Sequence, residues 1–98
     1  MNEPTLAALH ADLAELRQAL QREAFGEAGQ ILARHESRLR HYIDVVGVDA
    51  PVDALHELLQ LQHQLQQEMT SARDEAATAL REMRQSSQAT RSYRELAP

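Results

Sequence analysis

From about Val52 to Met83, apolar residues recur at helical steps through Leu55, Leu58, Leu65, Met69, Ala72, Ala76, Ala79 and Met83, and neither glycine nor proline interrupts them. Spacing by three, four or seven puts all of these side chains on one face of a helix, a pattern that no alternating strand can reproduce. One long amphipathic helix is therefore expected. Some 32 residues at 1.5 Å each run roughly 48 Å, longer than the preceding helices can cover. The remaining uncovered stripe is a place to bind something.

Two shorter helices should precede it. Leu6, Leu9, Leu13, Leu16 and Leu20 keep a three-four spacing without a miss, with Asn2 or Thr5 available as N-cap. Phe25, Ala28, Leu32, Leu39, Tyr42 and Val46 repeat the spacing out of phase with the first set, because the five-residue step from Leu20 to Phe25 turns the face by roughly 140°. A boundary between Arg22 and Gly29 restores both faces to one core, and Gly26 and Gly29 are the residues expected to loosen the chain there. Gly47 suits the C-terminal cap of the second helix, with Pro51 shortly after and Asp49 or Asp53 to start the third.

Short connections make sequential helices antiparallel neighbours. The fold class expected is all-α, an antiparallel bundle of three main helices with a long third helix. The chain reads as a single helical-bundle domain over 1–98, with helices at about 4–23, 25–46 and 52–85. Ser86 and Ser87 lower helix propensity, so 86–98 is expected to be a tail, either a frayed, mobile continuation of the helix or a separate short helix whose Ala89, Tyr93 and Leu96 fold back onto the bundle or dock on a partner.

Composition narrows the function classes. With 43% hydrophobic residues but only Phe25, Tyr42 and Tyr93 as aromatics, the core must be built from leucine and alanine. There is no cysteine, which removes disulfides and thiolate chemistry and suits a reducing compartment. The start, Met1-Asn2-Glu3-Pro4, lacks a basic leader, and no apolar run approaches a membrane span. A cytoplasmic protein without membrane insertion is the expectation. A net charge of −5 argues against nucleic acid as a partner, since such binding rewards clustered positive charge.

No constellation in the sequence carries chemistry, so the chain is expected not to be an enzyme and to need no cofactor or metal. His56-Glu57-Leu58-Leu59-Gln60 comes close to a zinc-protease pattern, but Gln60 stands where the second histidine belongs. His56 and His63, seven residues or about 10.5 Å apart along a helix, are too distant to share one ion. His35 lies on the seam of helix two and reads as a core histidine hydrogen-bonded to a carboxylate. Glu57, Asp74 and Glu75 read as a solvated helix face.

What remains is the stripe. The expected partner-binding residues are Leu55, Leu58, Leu59, Leu65, Met69, Leu80 and Met83, with Arg73, Arg81 and Arg84 placed to pair with acids of a partner, and Tyr93 in the tail. Methionines at 69 and 83 suit a groove that accepts varied apolar segments. On this reading Leu65→Asp or Met69→Asp abolishes partner binding and leaves helix content largely unchanged, whereas collapse of the fold would assign those residues to the core.

Three stretches carry a family resemblance: Ile31-Leu32-Ala33-Arg34-His35-Glu36-Ser37-Arg38-Leu39-Arg40, Met69-Thr70-Ser71-Ala72-Arg73-Asp74-Glu75, and Gln88-Ala89-Thr90-Arg91-Ser92-Tyr93. With them the chain resembles the small flagellar type III export chaperones, the FliT type more than the FlgN type. The resemblance implies a cytosolic helical chaperone that holds a helical segment of a flagellar subunit, filament cap or hook-associated protein, and escorts it to the export ATPase or export gate. It further implies a last helix, around Ala89 to Tyr93, that covers a client face on helices two and three. Two other classes fit the residues. One is a homodimeric or tetrameric helical bundle whose third helix pairs with its own copy, as structural or adaptor protein without a secretion client. The other is a metal-dependent or pH-sensing regulator built on the five histidines.

Overall fold

The computed structural model describes residues 4–96, and its order is α1 (Leu6–Gln21), α2 (Phe25–Val46), a short 3-10 turn (Gly47–Asp49) and α3 (Val52–Leu96). The all-α bundle with a long third helix is as the apolar spacing requires.

α1 begins where Thr5 Oγ1 accepts the Ala8 N–H at 3.1 Å, which satisfies one of the orphan donors of the first turn. Its end differs from expectation. The chain reverses at Arg22–Ala24, not at a glycine: Glu23 N–H donates to Leu20 O at 3.1 Å and Ala24 N–H to Ala19 O at 2.9 Å. These two bonds form a Schellman motif, and the residue in its left-handed position is Glu23, φ 57°. Gly26 and Gly29 both lie inside α2. At the other end of α2 the expectation holds, because Gly47 caps the helix at φ 61° with its N–H on Ile43 O. α3 starts at Val52, its first bond running from Leu55 N–H to Pro51 O at 2.9 Å.

The core is leucine-rich and narrow. Leu9, Leu13, Leu16 and Ala19 of α1, Ala28, Ile31, Leu39 and Tyr42 of α2, and Leu58, Leu65 and Met69 of α3 are buried together. α1 is the central element, packed along both α2 and α3. Ile31 outranks Leu32 as the buried residue of its turn, although the seam spacing favours Leu32.

The main departure lies in α3. It is one continuous helix of 45 residues, and the expected tail at 86–98 is helical through Leu96. No glycine or proline breaks it, and two serines cost only about 0.5 kcal/mol each against alanine. Thr90 keeps its hydroxyl satisfied by donating to Ser86 O at 3.0 Å, the back-bonding that lets threonine sit inside a helix. The described side chains from Ala77 to Arg91, and Arg94, are all exposed, so this stretch does not fold back over the bundle. The molecule is accordingly 77 Å long and 26 Å by 17 Å across.

Candidate partner-binding face

At 3.6 residues per turn, an interval of 18 residues is about five whole turns, so residues 18 apart stand on the same line of a straight helix. Along α3 this interval maps Leu58 onto Ala76, Gln62 onto Leu80, Leu65 onto Met83, Met69 onto Ser87 and Ala72 onto Thr90. The projecting part of α3 therefore repeats, in a weaker and smaller form, the face that the bundle uses as core. Leu58 and Leu65 are 0% and 1% exposed, whereas Leu80 and Met83 are 48% and 69% exposed. The difference is coverage by α1 and α2, which stop one turn or so past Met69.

This geometry sorts the residues singled out by spacing. Leu58, Leu65 and Met69 are buried in the core, and Leu55 packs half-buried at its edge. Their apolar surface is already taken by α1 and α2, so Leu65→Asp and Met69→Asp act on the fold before any partner. Leu80, Met83 and Arg84 lie on the projecting stretch and Arg73 at its base, where its guanidinium reaches Gly29 of α2; Arg73 and Arg84 stand about 60–80° to one side of the Ala76 line. Arg81 is on the back of the helix, about 140° from that line, where it donates to Thr78 Oγ1 at 3.4 Å. Leu59 is exposed but sits far down the helix, within the half that carries buried Leu58 and Leu65, and a separate open groove is lined by Glu36, Leu39, Arg40, Ile43 and Gln62. The side chain of Tyr93 lies outside the described residues. At the tip, Met83, Ser86, Ser87, Thr90, Arg91 and Arg94 line a shallow concavity.

Over 68–91 the charge beside the stripe is segregated, while Arg94, 18 residues past Ala76, stands on the stripe itself. Arg73, Arg84 and Arg91 share one flank of the stripe, while Glu68, Glu75 and Glu82, spaced by sevens, share the other. Glu68 is on the α1 side, where it borders a hollow with Arg17, Leu20, Gln21 and Ala72.

A second polar feature is buried in the bundle. Asp12 of α1 is 1% exposed and His35 of α2 is 0% exposed. Asp12 Oδ1 accepts from Arg38 Nη1 at 2.8 Å and from Arg34 Nη2 at 3.3 Å, and Arg34 also donates to Glu15 Oε2 at 2.6 Å. The hydrogen bond to Glu15 pushes the Arg34 guanidinium pKa up, with the nearby carboxylate charges adding to it. His35 Nε2 pairs with Gln62 Oε1 of α3 at 3.0 Å, while its Nδ1 faces Asp12 Oδ2 at 3.7 Å without a hydrogen bond. The expected core histidine is thus found, but its hydrogen bond goes to a glutamine amide, and the carboxylate is only its neighbour. Asp12 falls between the leucines of the first seam, and the sequence reading missed it. Its place three residues after Leu9 and four before Leu16 puts it on the inward face of α1, but nothing in the spacing names the arginines that meet it there.

The cluster is a clamp between helices. It links α1, α2 and α3 through one carboxylate, two arginines, one imidazole and one amide, and it lies apart from the exposed stripe. Among the described residues no group of three or more histidines or carboxylates is placed to hold a metal ion, and no helix is long and apolar enough to cross a membrane.

The fold and face together define a three-helix bundle with a projecting amphipathic helix. No family model, curated protein or solved structure matches the chain.

Proposed function

We propose that this protein binds an amphipathic helix of another protein along the projecting half of α3. The observation that carries the reading is the repetition of the core face, with Met83 exposed on the line of buried Leu65. A face built like the core but left uncovered offers apolar area, small residues for close approach and charged edges, which are the elements of helix-in-groove recognition. In its specific form the reading follows the resemblance at Ile31 to Arg40, Met69 to Glu75 and Gln88 to Tyr93. The chain then acts in the cytoplasm as a flagellar export chaperone, keeps a helical segment of a filament cap or hook-associated subunit soluble, and delivers it to the export ATPase or gate.

The test is size-exclusion chromatography with light scattering on the protein alone and co-expressed with filament-cap and hook-associated subunits of its own organism. A stable complex with one of them, lost on Met83→Asp and on Leu80→Asp, supports the chaperone and names its client. A constant mass indifferent to every subunit refutes the flagellar form.

A further inference from the structure

The two charged flanks of the α3 stripe restrict what can lie on it. Consider first a second copy of this chain. In an antiparallel pair the two-fold axis is perpendicular to the plane of the helices and maps each flank onto itself. Glu75 and Glu82 then run beside the glutamates of the other copy, and Arg73, Arg84 and Arg91 beside its arginines. Like charges at helix-neighbour distance oppose pairing. A parallel pair would match glutamate to arginine, with the axis running along the stripe. Over Leu58 to Met69, however, that same line is covered by α1 and α2, and Ala76 and Met83 continue it without rotation. Both bundles would have to occupy one volume.

A helix from a different protein meets neither obstacle, since it need carry neither this bundle nor this charge order. We infer that the occupant of the stripe over Ala76, Leu80, Met83 and Ser87 is a heterologous helix with two unlike edges. A basic edge faces Glu75 and Glu82, and an acidic edge faces Arg73, Arg84 and Arg91. Its apolar ridge has to fit a floor of Ala76, Leu80, Met83 and Ser87, so the two backbones approach most closely at Ala76 and Ser87, and the end of α1, where Leu20 and Gln21 border Ala72, bounds the site. Each matched ion pair is worth little on the surface, and the pattern sets choice and orientation of partner more than affinity. The inference rests on the helix-binding reading of α3 and adds the charge chemistry of the ligand.

The experiment uses the full chain and three synthetic helical peptides that share one leucine and alanine ridge. The first has one glutamate edge and one lysine edge, the second has glutamate on both edges, and the third has lysine on both. Binding is followed by fluorescence anisotropy at low and high salt. The mixed peptide is expected to bind about tenfold tighter than either uniform one at low salt, from several pairs of a few tenths of a kcal/mol each. The gap should close at high salt. The variant carrying Arg73→Glu, Arg84→Glu and Arg91→Glu should come to prefer the doubly basic peptide, its fold checked by circular dichroism. Equal binding of all three peptides, still lost on Met83→Asp, overturns the charge assignment and leaves helix binding standing. No binding of any peptide, with Met83→Asp silent, removes the helix-binding reading itself. Reversible self-association abolished by Met83→Asp would make a second copy the occupant and overturn the inference.

Discussion

Arg38 Nη1 lies 2.8 Å from Asp12 Oδ1, and this hydrogen bond joins α2 to a carboxylate of α1 that is buried among leucines. The side chains of Arg34 and Arg38 are 43% and 44% exposed, so the arginines reach in from the surface while the carboxylate remains inside. Such an arrangement fixes the register of α1 on α2 as well as the depth at which they meet. Asp12→Ala removes the acceptor of both arginines and leaves His35 without its polar neighbour. We expect a loss of about 1–3 kcal/mol in urea unfolding, below the roughly 3–5 kcal/mol for breaking a fully buried charge pair because the arginines can turn to water. A change below about 0.5 kcal/mol would mean that the clamp contributes no stability.

Leu65 and Met83 share one line of α3 yet should respond oppositely to the same substitution. Leu65→Asp places a carboxylate in the core and should abolish cooperative unfolding and most helix content, since even leucine to alanine at such a site costs about 2–5 kcal/mol. Met83→Asp should leave stability within about 0.5 kcal/mol, as expected for an exposed site. Circular dichroism melts of the two variants decide the matter. Similar melts would place the edge of the bundle elsewhere.

Glu23 holds the left-handed position that closes α1, where a side chain is sterically opposed and glycine is at ease. Glu23→Gly should raise stability by about 0.5–1 kcal/mol after allowance for the greater freedom of glycine in the unfolded chain. At Gly47, φ 61°, the converse change Gly47→Ala should destabilise by about 1 kcal/mol or more. Chemical denaturation of the pair of variants tests the sign at both turns.

Amide hydrogen exchange should divide α3 into two regimes. Amides from Leu58 to about Ala72 are expected to exchange only through opening of the bundle, whereas those beyond Ala79 have helix propensity alone to protect them and should exchange orders of magnitude faster. Addition of the peptide with unlike edges should slow exchange in the second region and leave the first unchanged. Uniform protection to the end of α3 in the free protein would show that the projecting stretch already has a cover.

Much of the local structure was legible in the residues. The boundaries of α2 follow from an apolar seam that opens at Phe25 and from Gly47 with Pro51 behind it, and the start of α1 follows from Thr5. Two local features were not legible for the same reason. The α1–α2 turn uses Glu23 where glycine is the usual choice, and α3 runs through Ser86 and Ser87 although both weaken a helix. In each case propensities of about a kcal/mol or less are overridden by their context, two reverse-turn hydrogen bonds at one site and the absence of any breaker at the other.

For the binding face, the sequence determined the periodicity: it placed Leu58, Leu65, Met69, Ala76 and Met83 on one line of α3 and segregated glutamate from arginine beside it, because a helix converts spacing directly into angle. Spacing carries no information about where along that line the covering helices stop. Only the tertiary structure decided that Leu58, Leu65 and Met69 belong to the core and that Leu80 and Met83 do not. The same holds for Asp12, whose burial depends on Arg34, Arg38 and His35 arriving from α2, a meeting of side chains more than twenty residues apart that no local pattern encodes.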